Sequence, residues 1–415
     1  MYSTGLATSR DTWCYAFNIG TLKRNVKTLI DTFKSAMQTF WSQKEVAMQT
    51  PNRDDVIDFL KENKQFQDVR IISWGTDLHD SLRRRNEIRY SKSFLRISLY
   101  RPFSKTHCCF DRKLNNRVYQ LPKMFPTAGH DNVGIVLTAP ASHFDFTPLA
   151  TNLLPNLHTL DTGQFFPRWT WEPVEVPAGT LDFGSATTSE ANPGTEGEIL
   201  DGYRRVDNIT DEILSIFRNA LGGDISKDDI FYFVYGQLHD PNYREAYAAD
   251  LKKMLPHVET PSSRERFDQL TEAGRTLTDL HVNYEDVDPY PVNVQVKKSA
   301  DPDDRETWRV TKMKWAKKKD PETGKNVNDT TTIIYNPKVT VTGIPEEAER
   351  YLLGSRSALG WIIDRYQVKK DKSSGTVNDP NDWCDEVDNP RYIVDLIAKV
   401  TRVAVETARI TDSLR

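Results

Sequence analysis

Cysteine is scarce in this sequence. The 415 residues hold four: Cys14, Cys108, Cys109 and Cys384. That is too few for a disulfide framework in so long a chain. Cys108 and Cys109 are adjacent, and a bond between neighbours closes a strained ring. Long apolar runs are missing as well. None approaches the roughly 18 residues that a membrane-spanning helix needs. The leading stretch MYSTGLATSRDTW lacks the charged-then-apolar pattern of a secretory signal. The expectation is a cytoplasmic protein with no membrane partner.

The common catalytic signatures are missing too. No G-x-x-x-x-G-K-[ST] loop cradles a phosphate, and no G-x-G-x-x-G opens a helix. There is no G-x-S-x-G elbow, no H-E-x-x-H and no C-x-x-C. The Asn-Pro steps at Asn192, Asn336 and Asn389 lack the second proline and aromatic of an amine-methylating motif. His107, Cys108 and Cys109 are metal-ligating types, but neighbours on a strand point to opposite faces. No second cluster follows at the spacing tetrahedral zinc requires. The reading is a half-buried strand with one cysteine inward. No catalytic residue and no metal ligand are assigned.

A global excess of positive charge is also lacking, since 55 Lys and Arg face 59 Asp and Glu. The distribution is uneven. Residues 70–126 carry thirteen basic and four acidic side chains, whereas 127–210 carry three and eleven. Such asymmetry concentrates a positive field on one face of a weakly acidic molecule. Mutual neutralisation of the two regions by ion pairs is the competing reading.

Periodicity divides the chain. Residues 1–67 read as a leading segment followed by helices: Val26, Leu29, Ile30, Phe33, Met37, Phe40 and Trp41 form a helical stripe. Asn52 is the predicted cap of a second helix. Residues 68–170 read as a mixed β/α recognition domain, with strands at VRIISW (69–74), FLRISLY (94–100), THCCFD (106–111) and NVGIVLTAP (132–140). Residues 171–205, rich in Pro, Gly, Ser, Thr and acid, read as a linker or mobile loop. Residues 206–415 read as a mainly helical domain with an inserted β-hairpin at about 305–343: strand 307–318, loop 320–329, strand 330–336. Helices are predicted over 209–221 with Thr210 as cap, 228–240, 241–256, 264–284, 357–367 and 390–414. The fold class is α+β.

The basic, aromatic segment is the lead to function. Arg83, Arg84, Arg85, Arg101, Lys105, Arg112 and Lys113 are interleaved with Tyr90, Tyr100, Phe103 and Tyr119. Arg and Lys neutralise backbone phosphates, and Arg also grips guanine edges. Asn116 is a candidate for adenine readout, although it and Asn115 equally suit a turn. Lys317, Lys318 and Lys319 lie on the predicted hairpin. A two-stranded ribbon fits a major groove, but lysines on an edge strand also guard against aggregation.

Long stretches resemble one family. They include TSRDTWCYAF (8–17), SLYRPFSKTHCCFDRKLNNRVYQLPKMFP (98–126), LLPNLHTLDTGQFFP (153–167), IFYFVYGQLHDPNYREAYAADLKKMLP (230–256), LTEAGRTLTDLHVNYE (270–285), TTIIYNPKVTVTGIP (331–345) and SALGWIIDRYQVKKDKSSGTVNDPNDW (357–383). In order and over nearly the whole chain, they resemble the C-terminal target-recognition region of type ISP restriction–modification enzymes. Ala7 and Ser9 depart from it, where Lys and Asn are expected. The resemblance implies sequence-specific double-stranded DNA binding that directs adenine methylation and cleavage. Nuclease, helicase and adenine methyltransferase parts belong to the parent enzyme and are absent here. S-adenosylmethionine, ATP and Mg are expected for that parent and no cofactor for this chain. The implied partners are duplex DNA and methyltransferase and helicase–nuclease domains or subunits. A diverged methyltransferase or nuclease, and a protein-docking subunit without DNA contact, are the alternatives.

Overall fold

The computed structural model describes residues 1–47, 50–140, 142–174 and 197–415. Two short strands, β1 (Ser3–Thr4) and β2 (Tyr15–Ala16), lead into helix α1 (Ile19–Ala47), then α2 (Arg53–Glu62) and α3 (Thr76–Arg83). β3 (Leu95–Arg101) and β4 (Ser104–Cys109) form a hairpin. There follow β5 (Gly134–Leu137), β6 (Pro148–Thr151), β7 (Leu154–Pro155), β8 (Gln164–Pro167) and β9 (Trp169–Pro173). One sheet has the order β2-β4-β3-β7, with β3 and β7 parallel, and a second runs β1-β8-β5-β6. The α+β class is as expected.

β10 (Ile199–Leu200) and β11 (Tyr203–Asp207) complete a three-stranded sheet, β10-β11-β9. The expected linker at 171–205 is therefore ordered strand at both ends, and its middle, 175–196, lies outside the described residues. Helices α4 (Asp211–Leu221), α5 (Lys227–His239) and α6 (Arg264–Val282) come next. The final sheet, β12-β15-β14-β13, takes β12 (Asn293–Val296), β13 (Lys314–Lys319), β14 (Asn326–Ile334) and β15 (Val339–Thr342). Helices α7 (Ala358–Arg365) and α8 (Tyr392–Ser413) close the chain.

Local signals located most helices. Asn52 and Asp55 form the reciprocal capping box of α2, and the Thr210 hydroxyl accepts from the Ile213 N–H to cap α4. Every apolar position in the α8 stripe, from Ile393 to Val403, is buried. Two expected strands are corrected. VRIISW forms turns and extended chain, because Trp13 donates its indole N–H to the Ile71 carbonyl and Trp74 donates to that of Phe66. Those bonds tie the segment to its neighbours without a ladder. The hairpin strand begins at Lys314 rather than 307, since Arg305–Trp308 is a helical turn capped by Asp304.

The main core crosses the predicted division of the chain. One buried cluster joins Leu6 through Phe165 to Tyr284 through Val405. Phe103 meets Tyr284 edge-on at 5.1 Å, and the Tyr366 hydroxyl donates to the Phe103 carbonyl at 3.2 Å. Both cysteines of β4 are buried, correcting the half-buried strand: α1 and α7 both pack against β4, so neither sheet face meets solvent there. Cys109 faces Cys14 across the β2–β4 pair, and burial raises the Cys108 thiol pKa.

A second polar network lies between α5, α6 and α8. Tyr235 accepts a hydrogen bond from the Ala150 N–H at 2.7 Å and donates to His281 Nδ1 at 2.5 Å. His281 Nε2 in turn donates to Thr407 Oγ1 at 2.9 Å. Burial lowers the pKa of His281, and it lowers that of His239 to about 4, with Arg244 adding to the effect. The unfolded chain binds these protons near pH 6.5 and the fold refuses them. Stability from this source is complete above pH 6.5 and is lost as pH falls toward 4. His239 accounts for roughly 3 kcal/mol of that loss. Urea unfolding between pH 7 and 4.5 is expected to show the decline, and His239→Asn to flatten it. An unchanged slope in that variant would assign the decline to other groups.

Candidate nucleic-acid interface

A cleft of about 580 Å³ opens between the 3₁₀ turn Lys92–Phe94, the start of β3, the loop after β4 and residues 118–129. Phe94, Leu95, Phe110 and Val118 form its apolar floor, and Lys92, Arg96 and Arg112 bring charge to it. Among the described residues the lining holds a single acid, Asp111. That carboxylate accepts the Lys113 and Leu114 N–H groups at 2.8 and 3.1 Å, which holds the turn after β4 in place. Asn115 also serves this turn, accepting from the Asp111 N–H at 2.8 Å. Arg96 is half-buried and donates to the Leu95 and Pro126 carbonyls at 3.2 and 3.4 Å. Its burial lowers its pKa from the ordinary arginine value.

Ion pairs separate the cations of this region. Arg70 pairs with Asp68, Arg83 with Asp80, Arg85 with Glu45, Arg89 with Glu87 and Lys105 with Glu285. None of these partners lies in the acidic stretch 127–210, so the two regions do not neutralise each other among the described residues. Lys92, Arg96, Arg112, Lys113 and Arg117 have no carboxylate within 4.0 Å among the described residues. Lys113 instead donates to the Glu87 carbonyl at 2.6 Å, which draws the loop after α3 toward the cleft. Lys27 of α1 sits 5.1 Å above the Tyr90 ring. Unpaired cations on one surface attract polyanions, because no internal carboxylate competes for them.

The structure sorts the sequence candidates. Arg84, Arg112 and Lys113 are exposed, and Asn116 is half-buried. Arg85 lies over the Trp41 ring at 5.4 Å, bound to Glu45. Arg101 is turned inward: it stacks on Tyr100 at 4.2 Å and donates to Asn156 Oδ1 at 2.9 Å. Lys105 is held by Glu285 at 3.0 Å. Arg101→Ala is accordingly expected to lower stability by about 1–3 kcal/mol through lost packing and hydrogen bonds. Urea denaturation measures this, and a loss of DNA affinity at unchanged stability would contradict it.

The lysines of β13 are not among the residues that line the cleft. β14 pairs with β15 only over Thr332–Ile334, so the outer part of the β13–β14 pair stands as a two-stranded ribbon. Lys317, Lys318 and Lys319 are exposed there, with Lys317 donating to Asn328 Oδ1 at 2.7 Å and Lys318 pairing with Glu346 at 3.4 Å. Lys92 and Arg96 are the cleft residues that linear reading did not single out. They belong to the same basic run, but only their approach to Arg112 sets them apart. No group of three His, Cys, Asp or Glu among the described residues is arranged to hold a metal ion. No helix among them is long and apolar enough to cross a membrane.

Fold and cleft together define an α+β protein with a cleft whose cations have no carboxylate partner among the described residues. The chain belongs to the type ISP C-terminal specificity domain family, whose model matches residues 1–396. No curated protein matches the chain. Among solved structures, it is similar to a nuclease-deletion mutant of the type ISP restriction–modification enzyme LlaGI in complex with a DNA substrate mimic, at 31% identity and a TM-score of 0.76. It is also similar to the ATP-dependent type ISP enzyme LlaBIII bound to DNA, at 27% identity and a TM-score of 0.77. A third is a DrdV–DNA complex, at 28% identity and a TM-score of 0.75. These matches cover 100%, 100% and 99% of this chain, but only 33%, 23% and 35% of the respective larger chains.

Proposed function

We propose that this chain binds double-stranded DNA in the cytoplasm as the target-recognition module of a type ISP restriction–modification system. Lys92, Arg96 and Arg112 grip backbone phosphates at the cleft, with Arg84, Lys113 and Arg117 extending the contact. Asn116 and the exposed arginines supply base readout, and the Lys317–Lys319 ribbon is a second DNA-facing element. The observation that carries this reading is the set of cleft cations without carboxylate partners, in a family whose solved members include DNA complexes. Adenine methylation and cleavage would be carried out by methyltransferase and helicase–nuclease domains outside this chain. Those domains would hold S-adenosylmethionine, ATP and Mg. The residues of this chain position DNA and perform no bond-breaking step.

Selection of bound duplexes from a random pool tests this reading. Enrichment of one short site is expected, with affinity falling linearly in log salt while the preference persists. A pool that stays random after repeated selection would remove the recognition role and leave a non-specific or protein-docking surface.

A further inference from the structure

A second concentration of positive charge lies where α7 ends. Arg365 pairs with Asp364, and Lys369 Nζ lies 3.4 Å from the same carboxylate and donates to the Asp364 carbonyl at 2.8 Å. Arg356 and Arg365 both lie over the Trp361 ring, at 5.2 and 5.9 Å. Arg356 and Lys370 are exposed, and neither has a carboxylate within 4.0 Å among the described residues. Partial burial lowers the Lys369 pKa, and the charges of Arg365 and Arg356 add to the effect. Lys369 and Lys370 pair with Asn378 and Val377 in a short antiparallel hairpin. Asp371 fixes its turn, accepting from the Ser373 and Ser374 N–H groups at 3.1 and 2.7 Å.

The hairpin faces α1 across a crevice of about 220 Å³, whose walls include Lys369, Lys370, Thr21 and Asn25. No hydrogen bond joins the hairpin to α1 among the described residues. The acids of the crevice wall are engaged: Asp11 accepts from the Tyr100 hydroxyl at 3.1 Å, and Asp371 holds its own turn. On α1, Arg24 and Lys27 are exposed one turn apart, again with no carboxylate within 4.0 Å among the described residues. Arg24 donates to the Thr21 hydroxyl at the crevice wall, at 3.3 Å. Lys27 lies over the Tyr90 ring, Tyr90 meets Phe94 edge-on at 6.5 Å, and Phe94 belongs to the floor of the cationic cleft. Contacts therefore lead from the cleft through Lys27 and Arg24 to the hairpin lysines. We propose that Arg24 and Lys27, with Arg356, Lys369 and Lys370 beyond the crevice, form a second contact for the backbone of duplex DNA, continuous with the cleft. This contact rests on the duplex-binding reading above and adds a set of residues to it. Cations gathered in this way repel one another, and an anion from outside relieves the repulsion. A compact anion reaches only one or two of them. A phosphate backbone, with a charge about every 3.4 Å along each strand, matches a set that is spread over the surface.

The test is fluorescence anisotropy of a labelled duplex of about 30 base pairs and mixed sequence, titrated with the full chain over a series of salt concentrations. Lys27→Gln and Lys370→Gln are combined, one from each side of the crevice, since glutamine removes the charge and keeps the stem. Affinity near 0.1 M salt should fall roughly five- to thirtyfold, and the slope of log affinity against log salt should become shallower by about two. Adding Lys92→Ala and Arg112→Ala should make it shallower by about four in all, because the two sets of phosphate contacts are separate. Parent-like binding by the glutamine pair, with weaker binding by the Lys92 and Arg112 pair, would overturn this second contact and leave the cleft in place. No change in either pair would remove both. Weaker binding at an unchanged salt slope would also overturn the second contact, since it would mark a distortion of the fold and not a lost phosphate.

Discussion

Replacing Lys92 and Arg112 together with alanine is expected to lower affinity for duplex DNA by roughly ten- to a hundredfold near 0.1 M salt. The loss should be nearly uniform across sequences, because phosphate contacts position the protein and carry no base information. The plot of log affinity against log salt should become shallower by about two, one for each cation removed. Both side chains are exposed and have no ion-pair partner among the described residues, so their removal leaves no internal charge stranded. Unfolding midpoints should therefore stay within about 0.5 kcal/mol of the parent. Arg264→Ala is the control, since that side chain is engaged by Asp224 and Asp268 on α4–α6 loops and helix. Equal DNA affinity in the double variant and the control would remove the cleft from the interface.

Gly236→Ala and Gly274→Ala are expected to damage the fold more than any surface change. α5 and α6 cross where these glycines meet. A Cβ on Gly236 would stand 2.0 Å from the Leu270 carbonyl oxygen, and one on Gly274 would stand 1.8 Å from that of Tyr232. These obstacles are backbone atoms of the facing helix, which no rotamer change can move. Restoring contact distance requires the helices to separate by more than about 1 Å, which opens packed interiors and forfeits dispersion contacts. Alanine normally favours a helix interior by about 1 kcal/mol over glycine. Here the steric term wins, and a net loss of about 3 kcal/mol or more is expected for each variant. The separation would reach Tyr235, Leu238 and Leu277 in one buried cluster and Phe233, Phe267 and Leu270 in another. Thermal unfolding measures the effect, and a melting temperature equal to or above the parent's would show that the helices tolerate the shift.

Legibility differed by the range of the interaction that decided each feature. The caps at Asn52 and Thr210 act within three residues, and the α8 stripe repeats within one helix, so both were readable in the linear order. VRIISW has the composition of a strand and forms none, because Trp13 binds its backbone in place of a neighbouring strand. Gly236 sits inside an apolar helix, and the reason for a glycine there is a carbonyl 34 residues away, at Leu270. The candidate site divided in the same way. The basic run from Arg83 to Lys113 was visible as composition. Which of its cations are free depends on carboxylates at Glu45 and Glu285, remote in sequence.

By itself, then, the sequence determined the α+β class, most helices, the uneven charge and the family pattern, because each rests on neighbours or on extended order along the chain. Only the tertiary structure decided that β4 is covered on both faces, that Arg101 and Lys105 are held by Asn156 and Glu285, and that Lys92, Arg96 and Arg112 share a cleft. The reason is electrostatic and steric together. A charged side chain is available to a ligand only when no internal partner reaches it, and reach is a property of the folded chain.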